Sequence, residues 1–132
     1  MKNSASWGIG VLAIAAWAGA SNAGLNDPLL ELRSWHWGRS SGGDFVKAEG
    51  EVANIVAWPL DRVEVVVTWT AKDGTLITSA SALIQYNPVL PDQRSPFKVM
   101  APWNPAMAGA TIDFKMLGGP QLRWRERPAM KK

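Results

Sequence analysis

The stretch GEVANIVAWPLDRVEVVV, residues 50–67, decides the fold class of this chain. It contains two valine-bearing runs with an alternating pattern, in which Glu51 of the first run and Arg62 and Glu64 of the second take alternate positions with Val66 as the exception, and Pro59 separates the runs. Side chains alternate between the two faces of a β-strand, so each run predicts a strand with valines toward a core and charges toward water. Proline cannot donate a hydrogen bond to a strand ladder and therefore ends the first strand. The two runs predict consecutive strands in opposite sheets of a β-sandwich.

The core-facing positions of a strand at Phe45–Asn54 would be Val46, Ala48, Gly50 and Val52. Those of a strand at Arg62–Thr70 would be Val63, Val65, Val67 and Trp69. Further short segments bounded by Gly, Pro, Asn or Asp read as strands at Leu29–Trp37, Thr75–Tyr86, Phe97–Ala101, Thr111–Leu117 and Gln121–Glu126. Strands of this length and spacing predict an all-β, immunoglobulin-like sandwich of about seven antiparallel strands over residues 24–126.

The first 23 residues predict a secretory signal peptide. Lys2 is followed by an uncharged, mostly apolar run from Trp7 to Ala20, and small residues precede a cleavage site after Ala23. A helix of that length is shorter than a bilayer core. Cleavage would leave an extracytoplasmic protein, periplasmic or secreted, without an integral membrane span. An uncleaved N-terminal anchor is the alternative.

Composition excludes several classes of function. The chain has no cysteine, so thiol catalysis and thiolate metal sites are excluded. Loss of Lys2 with the signal peptide leaves a net charge of +2, which does not suggest a domain built for nucleic acid. Basic residues concentrate near the C-terminus, and residues 127–132 predict a basic tail.

Four motifs carry a resemblance to a known family: GEVAN (Gly50–Asn54), PLDRVEVVV (Pro59–Val67), KDG (Lys72–Gly74) and LPDQRSPFKV (Leu90–Val99). In their order and spacing over about residues 29–117, the chain resembles the FxLYD family of bacterial extracytoplasmic, immunoglobulin-like domains. The resemblance implies a binding or structural module and transfers no catalytic residues.

Residue types that could support catalysis have simpler explanations here. His36 is the only histidine, and a zinc site needs three or four ligands. Glu49 and Glu51 share one strand face at a separation that suits paired carboxylates, but alternating charge on a solvated strand explains them as well. We therefore expect no enzyme, metal or cofactor site.

Tryptophan is abundant in this chain, and six of its eight tryptophans lie after residue 23, where they are candidates for the core or for a binding surface. Trp69 and Trp124 are in phase with core positions. Trp58 and Trp103 lie in proline-bounded loops, where burial and exposure fit the sequence equally. Trp35 and Trp37 share a face with Arg33, which leaves open an outward ladder of aromatic and cationic side chains.

Successive strands are expected to run in opposite directions, so the loops that connect them should alternate between the two ends of the sandwich. The Trp58 loop, the loop after Tyr86 and the turn at Gly118–Pro120 should share one end. The Trp103 loop, with Met107, should share the other end with Gly38–Asp44 and the KDG turn. Exposed Trp, Tyr and Arg often anchor interfaces, so Trp58 with Tyr86 is the first predicted binding pair and Trp103 with Met107 the second.

Three functions remain open on the sequence. The first is a non-enzymatic exported module that binds another protein of the cell envelope or a secreted protein through aromatic-bearing loops. The second is a carbohydrate-binding module that stacks tryptophan rings on sugar faces. The third is attachment of the basic tail to an anionic membrane or polysaccharide.

Overall fold

The computed structural model describes residues 27–128, which contain seven strands and no helix. The strands are β1 (Leu30–Arg39), β2 (Phe45–Asn54), β3 (Val63–Thr70), β4 (Leu76–Leu83), β5 (Arg94–Pro102), β6 (Gly109–Met116) and β7 (Trp124–Glu126). The predicted all-β class is therefore confirmed. The predicted signal peptide and residues 129–132 of the predicted tail lie outside the described residues.

The strands form two sheets, one in the order β5-β2-β1-β7 and the other in the order β4-β3-β6. Strands β2 and β3 belong to opposite sheets, as predicted from the two valine-bearing runs separated by Pro59. All pairings are antiparallel except that of β1 with β7, which is parallel. The last strand thus returns beside the first one and leaves the sheet of its predecessor, β6.

The core lies between the two valine stripes. Val63, Val65, Val67 and Trp69 of β3 are fully buried, as are Val46, Ala48 and Val52 of β2. Phe97 of β5 and Phe114 of β6 meet edge to face between the sheets, with ring centroids 5.9 Å apart. Burial of the valine and phenylalanine side chains, each contributing roughly 1.5–3 kcal/mol, stabilises a domain that has no disulfide.

Gly50 is the one predicted core-facing position of β2 that has no room for a side chain. A Cβ atom there would stand 2.7 Å from both the Phe97 ring and the Trp35 Cβ, and closer still to the Ser34 carbonyl oxygen. The close approach of β1 and β5 on either side of β2 therefore requires glycine at this position.

A β-bulge in β1 overturns the expected direction of Trp35 and Trp37. Leu32 pairs with Val52 but Ser34 pairs with Glu51, so Arg33 is an extra residue in the ladder. Beyond the bulge the phase is reversed, and both tryptophans are half-buried against the core. The outward aromatic–cation ladder is therefore wrong, because the extra residue exchanges the two faces of the strand.

Strand β5 begins at Arg94, earlier than the predicted start at Phe97. Pro96, expected to lie in a loop, pairs with Glu51 inside the strand. An edge strand tolerates proline because only one of its sides donates to a neighbour. Position at the sheet edge explains the difference.

Candidate functional site

Three connections meet at one end of the sandwich, which we call the loop end: residues 55–62, 84–93 and 117–120. Leu60 and Val89 exchange two backbone hydrogen bonds of 3.0 and 2.9 Å, which join the first two connections. The Leu117 amide donates to the Arg62 carbonyl at 2.8 Å and attaches the third. The predicted grouping of these loops at one end is confirmed.

Asn54, fully buried at the end of β2, organises the loop end. Its amide nitrogen donates to the carbonyls of Trp58 and Val89, at 2.8 and 2.9 Å. Its side-chain oxygen accepts a hydrogen bond from the Val56 amide at 2.9 Å. Buried backbone N–H and C=O groups need hydrogen-bond partners. Asparagine suits this position because its side-chain amide offers two N–H donors and one acceptor oxygen, and Asn54 uses all three.

The base of Tyr86 is held in a similar way. The Ser95 hydroxyl, fully buried, accepts a hydrogen bond from the Tyr86 amide at 2.9 Å. The next residue, Asn87, accepts from the Val63 amide and donates to the Ile84 carbonyl, at 2.9 and 2.6 Å. Side chains from β5 and from the loop itself thus fix the backbone on both sides of Tyr86.

Large apolar side chains extend from these anchored loops. Trp58 and Tyr86 are each 38% exposed, Leu90 is 48% exposed and Leu117 is 47% exposed. The first predicted pair therefore lies at one end and reaches solvent. The sequence interpretation missed both leucines, although Leu117 is out of phase with the core-facing Phe114 and Met116 and could have been found from that pattern.

The second predicted pair lies at the opposite end, and the structure covers much of it. Met107 is buried at 8% exposure, so we correct the expectation that its side chain is available to a partner. Trp103 is half-buried, its amide donates to the Asp44 carbonyl at 3.0 Å, and the Arg39 guanidinium lies 5.2 Å from its ring centroid. Trp103 therefore fastens the turn at Gly38–Asp44.

The two tryptophans predicted to be core differ in depth. Trp69 is fully buried, which confirms the prediction. Trp124 is half-buried, packs edge to face on Phe114 with ring centroids 5.7 Å apart, and donates from Nε1 to Asp113 Oδ1 at 2.9 Å.

A shallow cleft of about 530 Å³ lies beside Trp124 and Asp113, lined in part by Gln121 and Arg123. Because Gln121 also donates to Asp113 Oδ2, both carboxylate oxygens already have partners within the fold.

Glu31 is the one acidic residue that is nearly buried among residues 27–128. Its carboxylate accepts hydrogen bonds from Arg33 at 2.6 Å and from Arg125 at 3.1 Å. Burial by itself raises the pKa of Glu31, but the hydrogen bonds and positive charges of the two arginines outweigh it and lower the pKa below its usual value. The cluster joins β1 to β7.

No cluster with metal-binding composition is present in the described part of the chain, where no three His, Asp or Glu side chains converge. His36 lies on the outer face of its sheet, with Nε2 3.8 Å from Glu49, and its side chain is 79% exposed. Over residues 27–128, no helix has the length and apolar character needed to cross a membrane.

No protein-family model matches the chain, and no curated protein matches it. Among solved structures, IrmA from Escherichia coli is similar with a TM-score of 0.46 and 7% identity, over 78% of this chain and 97% of that chain. The C-terminal domain of Wzt is similar with a TM-score of 0.45 and 13% identity, over 80% of this chain and 77% of that chain. Likenesses this distant carry no functional argument, and the sandwich rests on its own strand pairings.

Proposed function

We propose that this chain is a non-enzymatic, exported binding module that contacts another protein of the cell envelope, or a secreted protein, through the loop end. The observation that carries the proposal is the exposure of Trp58, Tyr86, Leu90 and Leu117 on loops anchored by Asn54, Ser95 and Asn87.

Anchored loops favour binding because they reduce its entropic cost. Ordering a loop or a side chain on binding costs free energy. When the loop backbone is already fixed before binding, that cost is smaller and more of the contact energy appears as affinity. Half-exposed aromatic rings and leucines also supply apolar area, and tryptophan and tyrosine are enriched among residues that dominate interface energetics. The loop end combines both properties.

The N-terminal sequence supports the location. The segment Trp7–Ala20, with small residues at positions 21–23, is typical of a secretory signal peptide. The resemblance to the FxLYD family, which stays a prediction, agrees with an extracytoplasmic binding or structural role. We therefore place the partner outside the cytoplasm.

A glycan ligand is the second candidate, and the observation in its favour is the exposed indole of Trp58. Within the part of the chain that the structure describes, the other tryptophans are buried or half-buried. A sugar-stacking site would therefore depend on Trp58 with Tyr86. Because a platform of several exposed tryptophans is not found in this region, the protein partner is the better-supported candidate.

Site-specific photo-crosslinking in the native envelope tests the proposal. A photoreactive phenylalanine analogue at Trp58 should give one stoichiometric protein adduct. The same analogue at Phe45, which is 46% exposed on a strand away from the loop end, serves as the matched control and should not give it. The combined substitution Trp58→Ala and Tyr86→Ala should weaken binding to the purified partner by about tenfold or more.

Three outcomes separate the candidates. An adduct that forms equally from Trp58 and Phe45, or no adduct from either position, contradicts the proposed protein interface. A shift of tryptophan fluorescence on addition of cell-wall glycans, abolished by Trp58→Ala, supports the glycan candidate instead. Retention of the protein partner after the double substitution shows that the contact lies elsewhere on the domain.

A further inference from the structure

The two sheets have four edge strands, and three of them are protected against pairing with another strand. β5 contains two prolines together with the cations Arg94 and Lys98. β7 is three residues long. β6 carries Asp113 and Lys115, and an isolated bridge joins Lys115 to Gln121. Short length, proline, charge and coverage are the features that keep natural sheet edges from associating.

The fourth edge, β4, lacks the protections of short length, proline and charge. Strand β5 of the other sheet approaches it, and just beyond the end of β4 the Gln85 amide donates to the Pro96 carbonyl at 2.9 Å. The sequence of β4, LITSASAL, contains no charge, no proline and no glycine over eight residues. Strand pairing joins β4 to β3 alone, and the turn and loop hydrogen bonds of residues 27–128 add no other backbone partner to Leu76–Leu83. An uncharged edge of this length presents unpaired N–H and C=O groups to an incoming strand.

We propose that β4 pairs antiparallel with β4 of a second copy of this chain, about a two-fold axis beside Ala80. Ser79 and Ser81 lie on the outer face of the sheet, opposite Thr68 and Val66 of β3. The two-fold axis places Ser79 of one copy opposite Ser81 of the other, where small side chains permit close approach. The two three-stranded sheets become one six-stranded sheet.

The side-chain pattern of β4 favours its own copy as the occupant. Leu76 and Leu83 stand at the two ends of the strand and are 63% and 45% exposed, while the centre consists of Ser and Ala. Both leucines lie on the outer face, opposite Thr70 and Glu64 of β3. Antiparallel self-pairing therefore brings Leu76 of each copy toward Leu83 of the other and removes apolar surface from water at both ends. The absence of charge means that two identical strands meet without like-charge repulsion.

Sedimentation velocity of the purified protein over a range of concentrations tests the dimer. An interface built on one strand pair is smaller than a standard stable interface, so we expect a dissociation constant on the order of micromolar. The double substitution Ser79→Lys and Ser81→Lys sets lysines directly opposite each other and should weaken the dimer by about tenfold or more. The matched control, Ser34→Lys with Thr111→Lys, adds the same charge at exposed strand positions away from β4 and should leave the dimer unchanged.

A charge-exchange experiment keeps the test independent of any loss of stability. The variant with Ser79→Glu and Ser81→Glu should also be monomeric, but an equimolar mixture with the lysine variant should form heterodimers. Circular dichroism and thermal melting confirm that each variant is folded. Heterodimer formation requires that the two altered edges face each other.

Cysteine trapping tests the register, because the natural chain has no cysteine. A mixture of Ser79→Cys and Ser81→Cys chains should form a disulfide-linked heterodimer faster than either chain alone forms a homodimer, since directly opposite residues meet disulfide geometry. A protein that stays monomeric at all concentrations overturns the proposal and leaves the edge to a strand of another protein. A dimer that is insensitive to the lysines at 79 and 81 overturns it as well.

Discussion

Asn54→Ala tests whether one buried side chain holds the loop end together. The substitution removes the donors to Trp58 and Val89 carbonyls and the acceptor for the Val56 amide. Each such hydrogen bond contributes about 1 kcal/mol net, so the free energy of unfolding should fall by about 3 kcal/mol. The Val89 carbonyl keeps the Leu60 amide as a partner, which prevents a larger loss.

Urea denaturation followed by tryptophan fluorescence measures this change. For a domain of this size, with an m value of roughly 1.5 kcal/mol/M, a loss of about 3 kcal/mol lowers the midpoint by about 2 M. Hydrogen exchange should also accelerate at the amides of Leu60 and Val89, because the two loops lose their common tether. Binding of the partner should weaken although Trp58 and Tyr86 are unchanged.

Asn104→Ala is the matched control for Asn54→Ala. The Asn104 side chain accepts a hydrogen bond from the Ala106 amide at 2.8 Å, but it is exposed and lies at the opposite end of the sandwich. We expect a cost below about 1 kcal/mol, since water can replace the lost bond. If Asn54→Ala costs no more than Asn104→Ala, then the side chain of Asn54 does not organise the loop end and the reasoning is refuted.

Three further predictions concern stability. Gly50→Ala should destabilise the domain by about 3 kcal/mol or more in urea denaturation, because its Cβ would collide with the backbone of Ser34 and the ring of Phe97; a loss below about 1 kcal/mol would contradict the close strand approach. Glu31→Gln should cost about 1–2 kcal/mol at neutral pH, with the cost discounted because Arg125 is half exposed. Since the folded-state pKa of Glu31 lies below the unfolded value near 4.5, its contribution is present above that pH and disappears as the pH falls through the folded-state pKa, so wild type and Glu31→Gln should converge in acid melts. Asp92→Gly should stabilise by about 0.5–1 kcal/mol in thermal melts, since Asp92 has a φ of 64°, and an unchanged or lower melting temperature would contradict this explanation.

Much of the fold could be predicted because its determinants are local. The alternation in β2 and β3 has a period of two, which depends only on the geometry of an extended chain. Pro59 cannot donate to a strand ladder and lies in the connection between β2 and β3, and the Asp-Gly pair at 73–74 makes a turn, with Gly74 at a φ of 89°. From these signals the layer arrangement and the grouping of loops at two ends follow.

The sequence alone determined that this chain is an all-β sandwich, which side of β2 and β3 faces inward, and that Trp58 and Tyr86 share one end. Only the tertiary structure decided that the extra residue at Arg33 turns Trp35 and Trp37 toward the core, that Met107 is buried, and that β7 pairs with β1 in parallel. The physical reason is that periodicity and turn chemistry act within a few residues of the chain. Register, bulges and the depth of a loop side chain depend instead on contacts between strands far apart in sequence, which no single segment encodes.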